Sequence, residues 1–211
     1  MKGRLTLLGG IRIDSPSGLQ TRPTTSRVRE AVINIIGNKI SNSNWLDLCS
    51  GSGVMGCEAL LRGASTVVAV ELNKKTAMLC KANLFSISEK TQQSSQVELI
   101  NSDVIKWLKK GYEQQVKVFR TPIPISKEKF DIVYFDPPYS SNIYSTVLKY
   151  LLVGGWLKRD SLVICEISSR LSLEVSRNWT IKDKRVYGHS SVLFLNPNLA
   201  KHSHADTDSK H

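Results

Sequence analysis

Nothing in the 211 residues is apolar for long enough to cross a bilayer, and no apolar core of signal-peptide length follows Met1-Lys2-Gly3-Arg4. A cytoplasmic protein is therefore expected, with no membrane partner. Cysteine is sparse. The four residues Cys49, Cys57, Cys80 and Cys165 form no C-x-x-C pair, which excludes the common zinc and redox frameworks. Each lies in an apolar segment, so reduced thiols in the core and no bound metal are expected. Acid is also scarce: 18 Asp and Glu face 29 Lys and Arg, a net charge of +11. Such an excess favours a polyanionic partner, nucleic acid ahead of an acidic membrane surface. There is no internal repeat, and a content of 41% hydrophobic and 22% charged residues excludes wholesale disorder.

The basic excess is uneven. Residues 1–39 carry seven basic and two acidic groups, 106–129 again seven and two, and 158–185 seven and four. The stretches 40–105 and 130–157 are each slightly acidic. A basic surround with an acidic centre suits a site that binds a polyanion and houses a cationic small molecule. The competing reading is a set of solvated faces that never converge.

Residues 5–13, LTLLGGIRI, read as two short strands joined at Gly9-Gly10. A helix then follows Arg22-Pro23-Thr24-Thr25, with Val28, Ala31, Val32, Ile35 and Ile36 on its apolar side and Gly37 as its stop. Arg27 and Arg29 lie near the start of that helix, where the dipole disfavours cations. An anion docked there would explain them, and two ordinary surface arginines would serve as well. From Trp45 onward strands and helices alternate. Strands are expected over 45–48, 67–70, 97–100, 130–135, 162–167, 182–186 and 192–195. Helices are expected over 54–61, 74–87, 104–109, 143–152 and 171–179, and 110–129 reads as a polar, basic loop. The pattern predicts an α/β fold: a seven-stranded, mostly parallel sheet with an antiparallel C-terminal hairpin, helices on both faces and a small N-terminal β-hairpin. Residues 197–211 hold three of the four histidines and no apolar periodicity, and read as a disordered tail.

The chemistry lies at the strand ends. Leu46-Asp47-Leu48-Cys49-Ser50-Gly51-Ser52-Gly53 is a strand entering a glycine turn and a helix, where backbone N–H groups meet a ligand. Gly51, Gly53 and Gly56 loosely match the dinucleotide fingerprint, so a NAD site stays open. Against it, Asp47 puts a carboxylate beside the turn, where it would repel a pyrophosphate and suit an ammonium group. Glu71 ends the second strand, placed to accept hydrogen bonds from ribose hydroxyls. Asp103 follows the third, where it could meet an adenine amino group or simply cap the next helix. Asp136-Pro137-Pro138-Tyr139 ends the fourth, since two prolines forbid the strand from continuing.

Four acids at successive strand ends resemble the Rossmann-like class I methyltransferases that use S-adenosylmethionine. The resemblance implies a cofactor held by Asp47, Cys49, Ser50, Gly51 and Gly53 at its methionine part, by Glu71 and Leu72 at the ribose, and by Asp103 and Val104 at the adenine. Asp136-Pro137-Pro138-Tyr139 resembles the [D/N]-P-P-[Y/F] motif of enzymes that methylate exocyclic amino groups. Asp136 and the Pro137 carbonyl would each accept one amino hydrogen and free the nitrogen lone pair, with Tyr139 stacked on the extruded base.

Together with Arg22–Glu30, Trp45–Gly56 and Arg185-Val186-Tyr187-Gly188, this motif resembles the RsmD family, bacterial 16S ribosomal RNA guanine-N(2)-methyltransferases. The resemblance implies a guanine in small-subunit RNA as target, with Arg22 and Arg27 near the active site or the RNA. Residues 1–40 would then form an RNA-binding extension with Arg29 beside them, and 41–196 the methyltransferase domain. A monomer acting on an assembling or assembled subunit is expected. Departures are Cys49-Ser50 where family members often carry Phe-Ala, a shorter N-terminal hairpin, and an enlarged loop whose Lys117 and Arg120 would meet phosphates. Rival readings are a DNA or RNA adenine amino-methyltransferase, a protein glutamine methyltransferase, and a non-catalytic ribosome assembly factor that keeps the pocket.

Overall fold

A computed structural model of the chain describes residues 3–16, 25–91, 95–116, 129–138 and 141–199. Strands β1 (Gly3–Thr6) and β2 (Arg12–Ser15) pair antiparallel as a separate hairpin. Its loop is longer than a two-residue turn: the Leu7 N–H donates to the Ile11 carbonyl, with Gly10 at φ +80° inside the loop. Helix α1 (Ser26–Ile36) starts at Thr25, whose hydroxyl accepts the Val28 N–H. It stops at Gly37, where φ is +55°. Val28, Val32, Ile33 and Ile36 form its buried stripe.

The main body alternates strand and helix: β3 (Asn44–Leu48), α2 (Val54–Leu61), β4 (Thr66–Glu71), α3 (Lys74–Ser88), β5 (Gln96–Asn101), α4 (Val104–Leu108), α5 (Tyr112–Val116), β6 (Phe130–Phe135), α6 (Tyr144–Val153) and β7 (Leu157–Ser168). The hairpin of β8 (Trp179–Tyr187) and β9 (Ser190–Pro197) closes it. The seven strands lie in the order β5-β4-β3-β6-β7-β9-β8. Strands β3 to β7 pair parallel, and β9 runs antiparallel to both neighbours. The sequence-based fold class is thus observed.

Alternation along the strands sends apolar side chains to two core layers. Trp45, Val67, Ala69, Ile132, Tyr134 and Ile164 pack under α1, α2, α3 and the N-terminal hairpin. Leu46, Leu48, Val70, Val133, Phe135 and Cys165 pack under α4, α5 and α6. No helix among the described residues is long and apolar enough to cross a membrane.

The helix expected over 171–179 is not formed. Most of this stretch is irregular, and β8 already begins at Trp179. Leu173 and Val175, two residues apart, both pack on the second core layer. A spacing of two cannot keep both side chains on one helical face.

Candidate functional site

The chain leaves β3 and goes to β4 on one side, while β6 lies on the other, so a crevice opens at the C-terminal end of β3. Register fixes what stands around it. Leu48 pairs with both Val70 and Phe135, so Cys49, Glu71 and Asp136 follow one step further on three adjacent strands. The Asp136 N–H donates to the Leu48 carbonyl at 3.4 Å, and the Ser50 N–H to Val70 at 3.1 Å. Asp47, Glu71 and Asp136 share the face of Trp45, Ala69 and Tyr134 by alternation. Asp103 follows β5, two residues beyond Asn101, which pairs with Glu71.

The glycine turn is tightly wound. Cys49, Gly51 and Gly53 have φ of +60°, +54° and +75°, and the Gly53 N–H closes onto the Ser50 carbonyl at 2.7 Å. A Cβ on Gly53 would stand 2.6 Å from Cys80 Sγ, and one on Gly56 would stand 2.9 Å from both Leu84 and Val67. Those approaches seat α2 against α3 and the sheet.

Carboxylates accept two N–H groups, one of this turn and one of the helix that follows it. The Gly51 N–H donates to Glu71 Oε2 at 2.9 Å. The Gly56 N–H, in the first turn of α2, donates to Asp47 Oδ2 at 3.2 Å. A pyrophosphate needs these N–H groups and would meet two carboxylates instead, so the loose dinucleotide match does not build a dinucleotide site. The same arrangement suits a cation. Asp47 is 2% exposed. Burial pushes its carboxyl up to about 7 against the lowering effect of the Gly56 N–H, and the Glu71 charge adds to the rise.

Cys49 marks the centre. Burial pushes its thiol far up, and the charges of Glu71, Asp136, Asp47 and Asp103 push it further, in that order. Hydrogen bonds and register place Asp47, Glu71 and Asp136 around this turn, and the charge of Asp103 is felt there. Each also has a local role. Glu71 Oε1 accepts the Asn73 N–H at 2.8 Å, and Asp103 Oδ1 caps α4 by accepting the Lys106 N–H at 2.8 Å. Leu72 is 67% exposed beside Glu71, and Val104 is buried behind Asp103. Cys57, Cys80 and Cys165 are buried as expected, whereas Cys49 is only half-buried because it belongs to the crevice.

At the end of β6, Asp136 is half-buried, Pro137 buried and Pro138 exposed. The Pro138 carbonyl accepts both the N–H and the hydroxyl of Ser141, at 2.8 and 2.7 Å. Tyr139, Arg22, Lys117 and Arg120 lie outside the described residues. Arg27 is exposed on the first turn of α1.

Arg29 is a correction. It is 3% exposed. Its guanidinium pairs with Glu58 at 3.4 Å and donates to the Thr6 carbonyl at 2.9 Å. Glu58 also accepts the Leu8 N–H and pairs with Arg62. Arg29 thus ties the hairpin to α1 and α2 from inside and presents no charge to an RNA. Sequence reading also missed Asn83. Its amide exchanges hydrogen bonds with both backbone groups of Asp14 and donates to the Ser52 carbonyl of the turn at 2.8 Å. It missed Glu166 too, a buried acid on β7. Its signal was present: it stands at a strand end, as the other acids do.

Comparison with known proteins agrees with this geometry. A sequence profile described as Conserved hypothetical protein 95 matches residues 7–196. The chain is 30% identical over 179 residues to a ribosomal RNA small subunit methyltransferase D of Buchnera aphidicola, covering 85% of this chain and 84% of that protein. It is 30% identical over 191 residues to a protein of the same name from Haemophilus influenzae, covering 89% and 91%. The solved structure of an Escherichia coli protein, provisionally described as a methyltransferase, superposes with a TM-score of 0.74 at 26% identity, covering 92% of this chain and 98% of that one.

Proposed function

The chain belongs to the Conserved hypothetical protein 95 family, the RsmD family, and from that membership we propose that it methylates the exocyclic N2 amino group of a guanine in small-subunit ribosomal RNA, with S-adenosylmethionine as donor. The observation that supports the reading is the gathering of carboxylates at one turn: Glu71 accepts the Gly51 N–H, Asp47 accepts the Gly56 N–H, and Asp136 stands one step beyond the Leu48–Phe135 pair. Such a crevice attracts a sulfonium and an ammonium group and repels a phosphate. The relatives named ribosomal RNA small subunit methyltransferase D supply the substrate class.

When bound, the donor supplies an electrophilic methyl group. The residues of the chain do the rest. Asp47 faces the amino-acid ammonium, Cys49, Ser50, Gly51 and Gly53 line the turn, Glu71 and Leu72 meet the ribose, and Asp103 and Val104 the adenine. Glu71 and Asp103 each have acceptor capacity left for this, since a carboxylate offers about four lone-pair sites. Asp136 and the Pro137 carbonyl accept the two amino hydrogens and turn the nitrogen lone pair toward the methyl group. Pro138 keeps the strand from continuing, and Tyr139 stacks on the flipped base. The proton leaves the nitrogen after transfer, so no histidine base is required. Arg22 and Arg27, with Lys117 and Arg120, would meet RNA phosphates, and residues 1–40 form the RNA-side extension of a protein acting as a monomer.

Asp136→Ala tests the assignment. Transfer of labelled methyl to small subunits is expected to be lost while binding of the donor persists. Loss of donor binding together with activity would show that Asp136 is misassigned.

A further inference from the structure

Among the described residues, Glu166 is the acid at this sheet edge to which the proposed function gives no task. Cys165 pairs with Phe135, so Glu166 stands one strand over from Asp136 and level with it, and adjacent strands are about 4.8 Å apart. It shares the face of Tyr134, whose hydroxyl donates to Glu166 Oε2 at 2.8 Å. Its backbone carbonyl accepts the Tyr144 hydroxyl at 2.9 Å. Tyr144 opens α6, the helix that follows the Asp136 loop, so the acid is anchored to both sides of the acceptor site. Glu166 is 3% exposed. The Tyr134 phenol is held protonated, chiefly by burial and then by the charges of Glu166, Asp136 and Asp47, so it stays a donor to Glu166. A carboxylate sunk this deep costs stability unless partners hold it, and packing alone would be served by a neutral residue.

We propose that Glu166 is a positioning residue of the acceptor site, whose fixed negative charge beside Asp136 stabilises the amino nitrogen as it becomes cationic. In the transfer the nitrogen lone pair forms the N–C bond while the C–S bond breaks and sulfur keeps its pair. Positive charge therefore passes from sulfur to nitrogen, and a proton then leaves the nitrogen for the Asp136 carboxylate and solvent. A preorganised charge near the nitrogen favours that transition state without contacting the base. The inference rests on the reading of Asp136 as the acceptor-side group.

Two variants separate charge from hydrogen bonding. Glu166→Gln keeps an oxygen for Tyr134 and removes the charge. Tyr134→Phe leaves the Glu166 carboxyl in place and removes the bond. Single-turnover methylation of small subunits, binding of S-adenosylhomocysteine and thermal unfolding are measured for each. Glu166→Gln is expected to slow the chemical step by roughly ten- to hundredfold, with KM for RNA and product affinity unchanged. Tyr134→Phe is expected to stay within about threefold of wild type in rate while melting lower. An unchanged rate in Glu166→Gln, or equal losses in both variants, would overturn the proposal. Should Glu166→Gln fail to fold, Glu166→Asp and Glu166→Asn decide in its place, since they match in length and differ in charge. Wild-type turnover in the same assay identifies the methylated nucleoside, so a failure of the guanine reading is seen separately.

Discussion

Replacing Asp47 by Asn should stabilise the protein free of cofactor, and do so more strongly as pH rises. The carboxyl is buried, accepts the Gly56 N–H at 3.2 Å and has the Glu71 charge nearby. Asn keeps an oxygen for that N–H and removes the charge. The sign follows from the folded value near 7 against 3.8 in an ordinary setting. Protons bind the folded form more tightly, so the favourable contribution is complete below 3.8 and is lost as pH rises to 7. At ~1.4 kcal/mol per pH unit the cost of Asp47 is about 2 kcal/mol at pH 5 and about 4 kcal/mol above pH 7. The advantage of Asp47→Asn should therefore grow by about 2–3 kcal/mol between pH 5 and pH 8. Denaturant unfolding of both proteins across that range measures it. The same variant should bind donor at least tenfold more weakly at pH 8, because the ammonium loses its counter-charge. Stability curves that run parallel at every pH would refute the argument for a strained, functional carboxylate.

Gly53→Ala should cost about 2–3 kcal/mol in denaturant unfolding and weaken donor binding, because φ is +75° and the new Cβ meets Cys80 Sγ; an unchanged midpoint would refute the close approach. Arg29→Met should lower stability by about 3 kcal/mol, as it strips Glu58 and the Thr6 carbonyl of a buried partner. It should leave the salt dependence of RNA binding unchanged, and a shallower slope would return Arg29 to the RNA surface. Cys49 should alkylate more slowly than a free thiol at pH 8, read by mass spectrometry, because burial and four nearby acids hold it protonated. Fast modification would mean that the acids do not surround it.

The parts legible in the sequence were those set by local pattern. Short apolar runs bounded by Gly51, Gly53, Pro137 and Pro138 place the strand ends, and register then carries Cys49, Glu71 and Asp136 to one level. What local pattern does not hold is which carboxylate takes which N–H. Glu71 reaches back 20 residues to Gly51, and only the closed sheet brings the two together. Arg29 shows a signal misread: it lies four and seven residues before Ile33 and Ile36, on the buried stripe, yet its partner Glu58 is 29 positions away. Leu171, Leu173 and Val175 alternate by two, and reading them as a helix ignored that period.

The central claim is that the crevice methylates a guanine amino group. Incubation with labelled S-adenosylmethionine and small ribosomal subunits, followed by digestion to nucleosides and mass spectrometry, tests it directly. The account predicts label in N2-methylguanosine. Label in N6-methyladenosine, or no transfer by a protein that binds the donor tightly, would contradict it.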